Sequence, residues 1–171
     1  LGQWGVEKTL PRLVGMFAIA LWDREDRSLV LARDRLGIKP LYWGRQGNQI
    51  FFASELKSIF AHPDFRPTVN RSALSDLVAF NYIPGPGSIY ADISHLESGC
   101  FTRIDSEGEA LTTRYWDLLE VAHQGSANRL SLSDGEAEAR LNDLLGEAVS
   151  DRMVSDVPLG TLLSGGVDSS A

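Results

Sequence analysis

The chain has 171 residues, 16 basic and 23 acidic side chains, a formal charge of −7 and 43% hydrophobic residues. That length allows one domain with a full core or parts of two, and the negative balance disfavours nucleic acid and anionic membrane as partners. The single cysteine, Cys100, excludes an internal disulfide framework and fits a reducing, cytoplasmic setting, while the longest apolar run, Met16 to Trp22, is strand-length and far short of a membrane span.

Residue 1 is Leu, and Ala171 follows directly on a Gly/Ser-rich loop placed to open a helix, so both ends read as cuts and an internal fragment is expected. Gly15 to Trp22 is apolar at every position, and Ser28 to Ala32 reads the same way across the polar turn Asp23 to Arg27. Alternate strand residues face opposite sides, so both faces of these strands should be covered. Tyr42-Trp43 and Ile50 to Ala53 flank Gly44 to Gly47 and predict a second hairpin. The four strands together suggest one sheet packed between other layers.

Helices follow. Glu55 to Phe60 is short, with Glu55 as a helix-start acid. Asn70 is placed to cap a helix burying Leu74, Leu77 and Val78, and Pro84-Gly-Pro-Gly87 breaks the pattern. Cys100 to Ile104 and Glu109 to Arg114 form another predicted hairpin, and His123 to Ser131 is polar and patternless, hence a linker. Ser133-Asp-Gly-Glu136 is a capping box, opening a helix expected to bury Ala137, Leu141, Leu144, Leu145 and Ala148. Pro158 precedes an expected short strand, Leu159 to Leu163.

The segment Ser164-Gly165-Gly166-Val167-Asp168-Ser169-Ser170 carries the chemistry. Two glycines let the backbone approach a ligand closely. Small residues leave N–H groups pointing into an open cup, three serines add hydroxyls, and a helix starting there adds the positive end of its dipole. This is a phosphate cradle. A carboxylate within it repels its ligand unless a cation lies between, which makes Asp168 the candidate Mg²⁺ ligand. No Gly-Lys-Ser/Thr follows, which excludes a Walker loop. A flexible Ser/Gly tail is the alternative.

Leu162 to Ser170 resembles the pyrophosphate loop of the ATP-pyrophosphatase enzymes, and the preceding Ser155-Asp-Val-Pro-Leu-Gly160 narrows the resemblance to the asparagine synthetase group. Upstream, Gly15-Met-Phe-Ala18, Arg33-Asp-Arg-Leu-Gly-Ile-Lys-Pro-Leu-Tyr42 and Ala53-Ser-Glu-Leu-Lys57 resemble the later part of the class II glutamine amidotransferase domain of the same enzymes. Tyr115-Trp116 resembles the close of the segment joining the two. The resemblance is collinear and covers essentially the whole chain.

It implies an α+β chain. Residues 1–116 would be the C-terminal part of a four-layer α/β/β/α N-terminal-nucleophile amidotransferase domain with a connecting hairpin. Residues 117–132 would be a linker, and residues 133–171 the start of an α/β ATP-pyrophosphatase (synthetase) domain. In that family an N-terminal cysteine releases ammonia from glutamine, and a tunnel delivers it to an aspartyl-adenylate made from aspartate and ATP. The resemblance also implies ATP and Mg²⁺ as cofactors, a cytoplasmic ligase of asparagine biosynthesis, and a homodimer as one assembly of the full-length enzyme. By position, Leu163 would contact the adenine-ribose side of ATP, Ser164, Gly165, Gly166, Val167, Asp168, Ser169 and Ser170 would wrap the pyrophosphate, and Asp168 would hold Mg²⁺. Met16 and Ile38 match positions beside the ammonia tunnel, with ordinary core packing as the alternative.

The chain departs from the family pattern in lacking the N-terminal cysteine and the stretches that hold glutamine, so no glutaminase catalytic residue is assigned and the fragment itself is expected to be inactive. Cys100, mid-strand, reads as a small packed residue. Arg33, Asp34, Arg35 and Lys39 read as a turn-stabilising charge cluster, and His62, His95 and His123 have no ligand spacing. A β-lactam synthetase-like or other amidotransferase acting on a different carboxylate, and a non-catalytic truncated product, are the rival readings.

Overall fold

The computed structural model describes residues 2–167. The chain divides into two units, one reaching to Ala127 and one beginning at Asn128. Every buried residue among those described lies in the first.

The first unit opens with a one-turn helix, α1 (Val6–Thr9), continued by a 3₁₀ turn at Leu10–Arg12. Strands β1 (Ala18–Asp23) and β2 (Ser28–Arg33) pair antiparallel. The Asp23 carboxylate accepts the N–H groups of Glu25 at 2.9 Å and Asp26 at 3.2 Å and so shapes the turn between them. A second hairpin joins β3 (Tyr42–Gln46) to β4 (Gln49–Ala53). After helices α2 (Leu56–Phe60) and α3 (Arg71–Phe80) come β5 (Ile93–His95), β6 (Cys100–Ile104) and β7 (Ala110–Arg114). The fold mixes helices with antiparallel sheets.

The two early hairpins do not share a sheet, contrary to the expectation of one. The first lies in a four-stranded sheet of order β1-β2-β6-β7, the second in a three-stranded sheet of order β4-β3-β5. The period-2 alternation of the strands sorts their side chains into three clusters. Val30, Ala32 and Phe101 pack with Val6 and Leu10. Leu31, Cys100 and Ile104 point the other way, to Leu41, Leu96, Trp43 and Ile50. Phe51 and Ile93 pack with Ile59 and Phe65. Leu10 and Leu31 are fully buried, each contributing roughly 2 kcal/mol.

Burial is not two-sided everywhere. β1 is the edge of its sheet, and Ala20 and Trp22 stay exposed. Asn70 caps α3 as expected, its Oδ1 accepting the N–H groups of Ser72 at 3.1 Å and Ala73 at 3.2 Å. That helix buries Ala73, while Leu74, Leu77 and Val78 are exposed because no described residues cover that face.

Residues within the stretch read as a patternless linker form a helix, α4 (Leu118–Ala127). The Asp117 carboxylate accepts the N–H groups of Leu119 at 2.9 Å and Glu120 at 3.0 Å, and this cap starts the helix.

The second unit holds α5 (Asp134–Ser150), with the expected capping box: Glu136 accepts the Ser133 N–H at 2.8 Å, and the Ser133 hydroxyl accepts the Glu136 N–H at 3.4 Å. Its apolar face, Leu141, Leu144 and Leu145 included, is exposed. Leu159 to Leu163 form no strand. A ladder needs a partner strand, and none among the described residues pairs with this segment.

Candidate functional site

β2 ends at Arg33, and the next residue is the one buried acid among those described: Asp34 is 1% exposed. One carboxylate oxygen, Oδ1, accepts the Ile38 N–H at 2.9 Å, and the other, Oδ2, accepts those of Lys39 at 2.9 Å and Phe17 at 3.2 Å. The Asp34 backbone completes the junction. Its N–H donates to the Phe17 carbonyl at 3.0 Å, and its carbonyl accepts the N–H groups of Gly37 at 3.1 Å and Gly99 at 3.0 Å. Burial alone raises the carboxyl pKa, but the donors from Lys39, Ile38 and Phe17 outweigh it and hold the group below its ordinary value.

The Arg33 guanidinium is spent on three carbonyls: Lys39 at 2.9 Å, Leu96 at 2.7 Å and Gly37 at 2.6 Å. Arg33 and Asp34 therefore stabilise the turn, as the sequence suggested, with their hydrogen bonds going to the backbone and their charges interacting without a direct salt bridge. Arg35 donates to the Pro11 carbonyl at 2.7 Å, tying the turn to the N-terminal helix.

Tyr115 also ends on this turn, its hydroxyl donating to the Arg33 carbonyl at 2.7 Å. Burial, aided by the nearby charge of Asp34, pushes its pKa up to about 12. Beside it, the N–H groups of Tyr115 and Trp116 donate to the Gly99 carbonyl at 2.8 Å and 3.2 Å. Gly99 has φ 64°, and a Cβ there would stand 2.2 Å from the Trp116 carbonyl oxygen, so only glycine allows this approach.

Two predicted positions fall on this junction. Phe17, whose N–H Asp34 holds, follows Met16, and Ile38 is held directly. Met16 is 44% and Ile38 55% exposed, so neither is packed into a core cluster. A cleft of about 370 Å³ at the turn is lined by Arg33, Gly37, Pro86, His95, Glu97 and Arg114. His95 stacks on Tyr42 at 3.9 Å between ring centroids, and burial together with the Arg33 charge lowers its pKa.

Cys100 is 2% exposed within an aliphatic cluster. Burial raises its thiol pKa, assisted by Glu97 and Asp117 and opposed by Arg114, so it is poorly suited to nucleophilic attack. Among the described residues no three His, Cys, Asp or Glu side chains gather closely enough to hold a metal, and no helix is long and apolar enough to cross a membrane.

In the segment whose sequence reads as a phosphate cradle, Leu163, Ser164, Gly165, Gly166 and Val167 are all exposed. Gly165 has φ 76° with open space where a Cβ would stand, a backbone that leaves room for an anion. Asp168, Ser169 and Ser170 lie outside the described residues. The donor set of the loop, backbone N–H groups, hydroxyls and one carboxylate, suits phosphate and a hard oxygen-seeking cation.

The glutamine amidotransferase domain family matches residues 1–116. The chain belongs to that family. The asparagine synthase family matches residues 140–171 of the same chain. Asparagine synthetase [glutamine-hydrolyzing] 3 of Bacillus subtilis is 36% identical over 96% of this chain and 26% of its own length. A putative asparagine synthetase [glutamine-hydrolyzing] of Mycobacterium tuberculosis is 36% identical over 99% of this chain and 26% of its own. Amidase chry2 of Gibberella zeae is 30% identical over 95% and 23%. The chain thus spans about a quarter of the length of these relatives.

The amidotransferase match ends at Trp116, beside the Tyr115 anchor. The sequence reading singled out Tyr115-Trp116 without its role, and missed Gly99 as the packing partner. A glycine standing where a strand begins was the available signal.

Proposed function

We propose that the chain serves a glutamine-hydrolysing asparagine synthetase, an ATP-dependent ligase of asparagine biosynthesis. Residues 1–116 supply the later part of its glutamine amidotransferase domain, residues 117–132 join the halves, and residues 133–171 begin its synthetase domain. The observation that carries this reading is the order of two family matches in one chain, amidotransferase before asparagine synthase, collinear with relatives over nearly its whole length. The three apolar clusters support a four-layer α/β/β/α arrangement, because they fall between α1 and the first sheet, between the sheets, and between the second sheet and α2.

In this reading the aspartate side-chain carboxylate attacks the α-phosphorus of ATP. The new O–P bond gives an aspartyl-adenylate, and pyrophosphate leaves. Ammonia from glutamine then attacks the acyl carbon, AMP departs, and asparagine forms. Leu163 contacts the adenine-ribose side. Ser164, Gly165, Gly166, Val167, Ser169 and Ser170 would hold the pyrophosphate, and Asp168 would hold a Mg²⁺ that supplies neutralising charge there. Met16 and Ile38 flank the path of ammonia. The setting is cytoplasmic, a homodimer is one assembly open to the full-length enzyme, and the partners are aspartate, glutamine and ATP.

The identity with Amidase chry2 favours one second reading, a related amidotransferase acting on a different carboxylate. The test is to place this chain in the matching segment of the Bacillus subtilis relative and assay glutamine- and ATP-dependent amidation. Asparagine formation supports the proposal. A hybrid that folds, hydrolyses glutamine and gives no asparagine from either glutamine or ammonium contradicts it.

A further inference from the structure

The carboxylate of Asp34 bonds two backbone segments far apart in sequence. One contains Met16 and Phe17, before β1. The other is the turn carrying Ile38 and Lys39. The bonds run from each segment to the acid, so the acid is the shared point through which their side chains keep a fixed relation. The backbone pair between Asp34 and Phe17 and the Gly37 N–H bond make the same joint stiffer.

A buried carboxylate carries a desolvation cost, which the neighbouring Arg33 charge offsets only in part because no direct ion pair forms. Among the described residues no salt bridge within 4 Å reaches Asp34. The Arg33 guanidinium, whose charge interacts with it, donates its hydrogen bonds to carbonyls, and Arg35 donates to the Pro11 carbonyl while its buried Nε has no partner. The cost is met by oriented amides, an anion nest turned inward. An apolar residue would close an ordinary core at this position without that cost. What only the acid provides is simultaneous capture of amides from both segments. Yet the side chains at the joint, Met16 and Ile38, are exposed, so the joint fixes a surface and not a core.

We infer that Asp34 is a positioning residue, locking Met16 to Ile38 so that these two positions form a rigid wall for ammonia passage. This rests on the proposed function, which places both residues beside that path. Loosening the joint would let ammonia escape to water before it meets the acyl-adenylate. Hydrolysis of glutamine would continue while its coupling to amidation failed.

The test has two arms. In the 171-residue chain, Asp34→Asn should raise amide exchange at Phe17, Ile38 and Lys39 about tenfold, equivalent to about 1.4 kcal/mol per site, with the β3–β4 amides unaffected. In the hybrid synthetase, the same variant should raise the ratio of glutamate to asparagine severalfold, and saturating ammonium should restore asparagine formation. A purely structural role would lower both activities together and leave the ratio alone. An unchanged ratio or unchanged exchange overturns the inference. A parent hybrid making no asparagine even from ammonium would count against the proposed function, and the exchange arm would then decide the joint alone.

Discussion

The hydroxyl of Tyr115 donates a 2.7 Å hydrogen bond to the carbonyl of Arg33, 82 residues earlier in the chain. This bond brings the close of the amidotransferase match onto the turn that Asp34 organises. Tyr115 therefore reports on the same joint as Phe17, Asp34 and Ile38.

Tyr115→Phe should destabilise the first unit by about 1 kcal/mol, the net worth of one hydrogen bond. The parent should also show an alkaline limb. An unfolded tyrosine ionises near pH 10, while Tyr115 in the fold is pushed up to about 12. Its contribution is fully present below about pH 10 and is lost as pH rises towards about 12. Urea unfolding from pH 9 to 12 checks this, and the Phe variant should show a flatter decline.

Asp34 predicts the opposite limb. Its folded pKa lies below the unfolded value, so its stabilisation is present above about pH 4 and is lost as pH falls through the folded pKa. Asp34→Ala should cost about 2–4 kcal/mol at pH 7, because three amides lose their acceptor. The difference between parent and variant should shrink on acidification. A constant difference down to pH 2 would mean the charge contributes nothing.

Cys100 should resist thiol reagents in the folded chain and react when denaturant opens its cluster. The 171-residue chain should show no glutamine hydrolysis that Cys100→Ala abolishes. Rapid labelling of the native thiol would contradict its placement.

Local signals were legible where the chemistry is local. The Asn70 cap, the Ser133–Glu136 capping box and the β6–β7 hairpin each depend on residues a few positions apart. The separation of the two early hairpins into different sheets was not legible, because strand periodicity does not reveal which strands pair. The α4 helix was missed although Asp117 and Glu120 have capping spacing; the polar composition of His123 to Ser131 masked it. Asp34 was read as one member of a charge cluster, and only the fold shows that its partners are amides of Phe17, Ile38 and Lys39. Leu74 and Leu141 were expected to be buried from helical spacing, and spacing alone does not say what covers a face.

The 171-residue chain should bind Mg-ATP weakly. Residues 153–163 form neither helix nor strand, and residues 159–167 are all exposed. Ordering such a loop costs about 1–2 kcal/mol per residue, with little packing to offset it. Isothermal titration checks this, and low-micromolar affinity would show the loop is already organised.

The most direct test of the central claim is ATP-dependent pyrophosphate release by the hybrid synthetase carrying Asp168→Asn. If this loop holds magnesium and pyrophosphate for a ligase, release should fall by orders of magnitude while glutamine hydrolysis persists. Pyrophosphate release near the parent rate would contradict the assignment of the loop, and with it the reading of the chain as a synthetase segment.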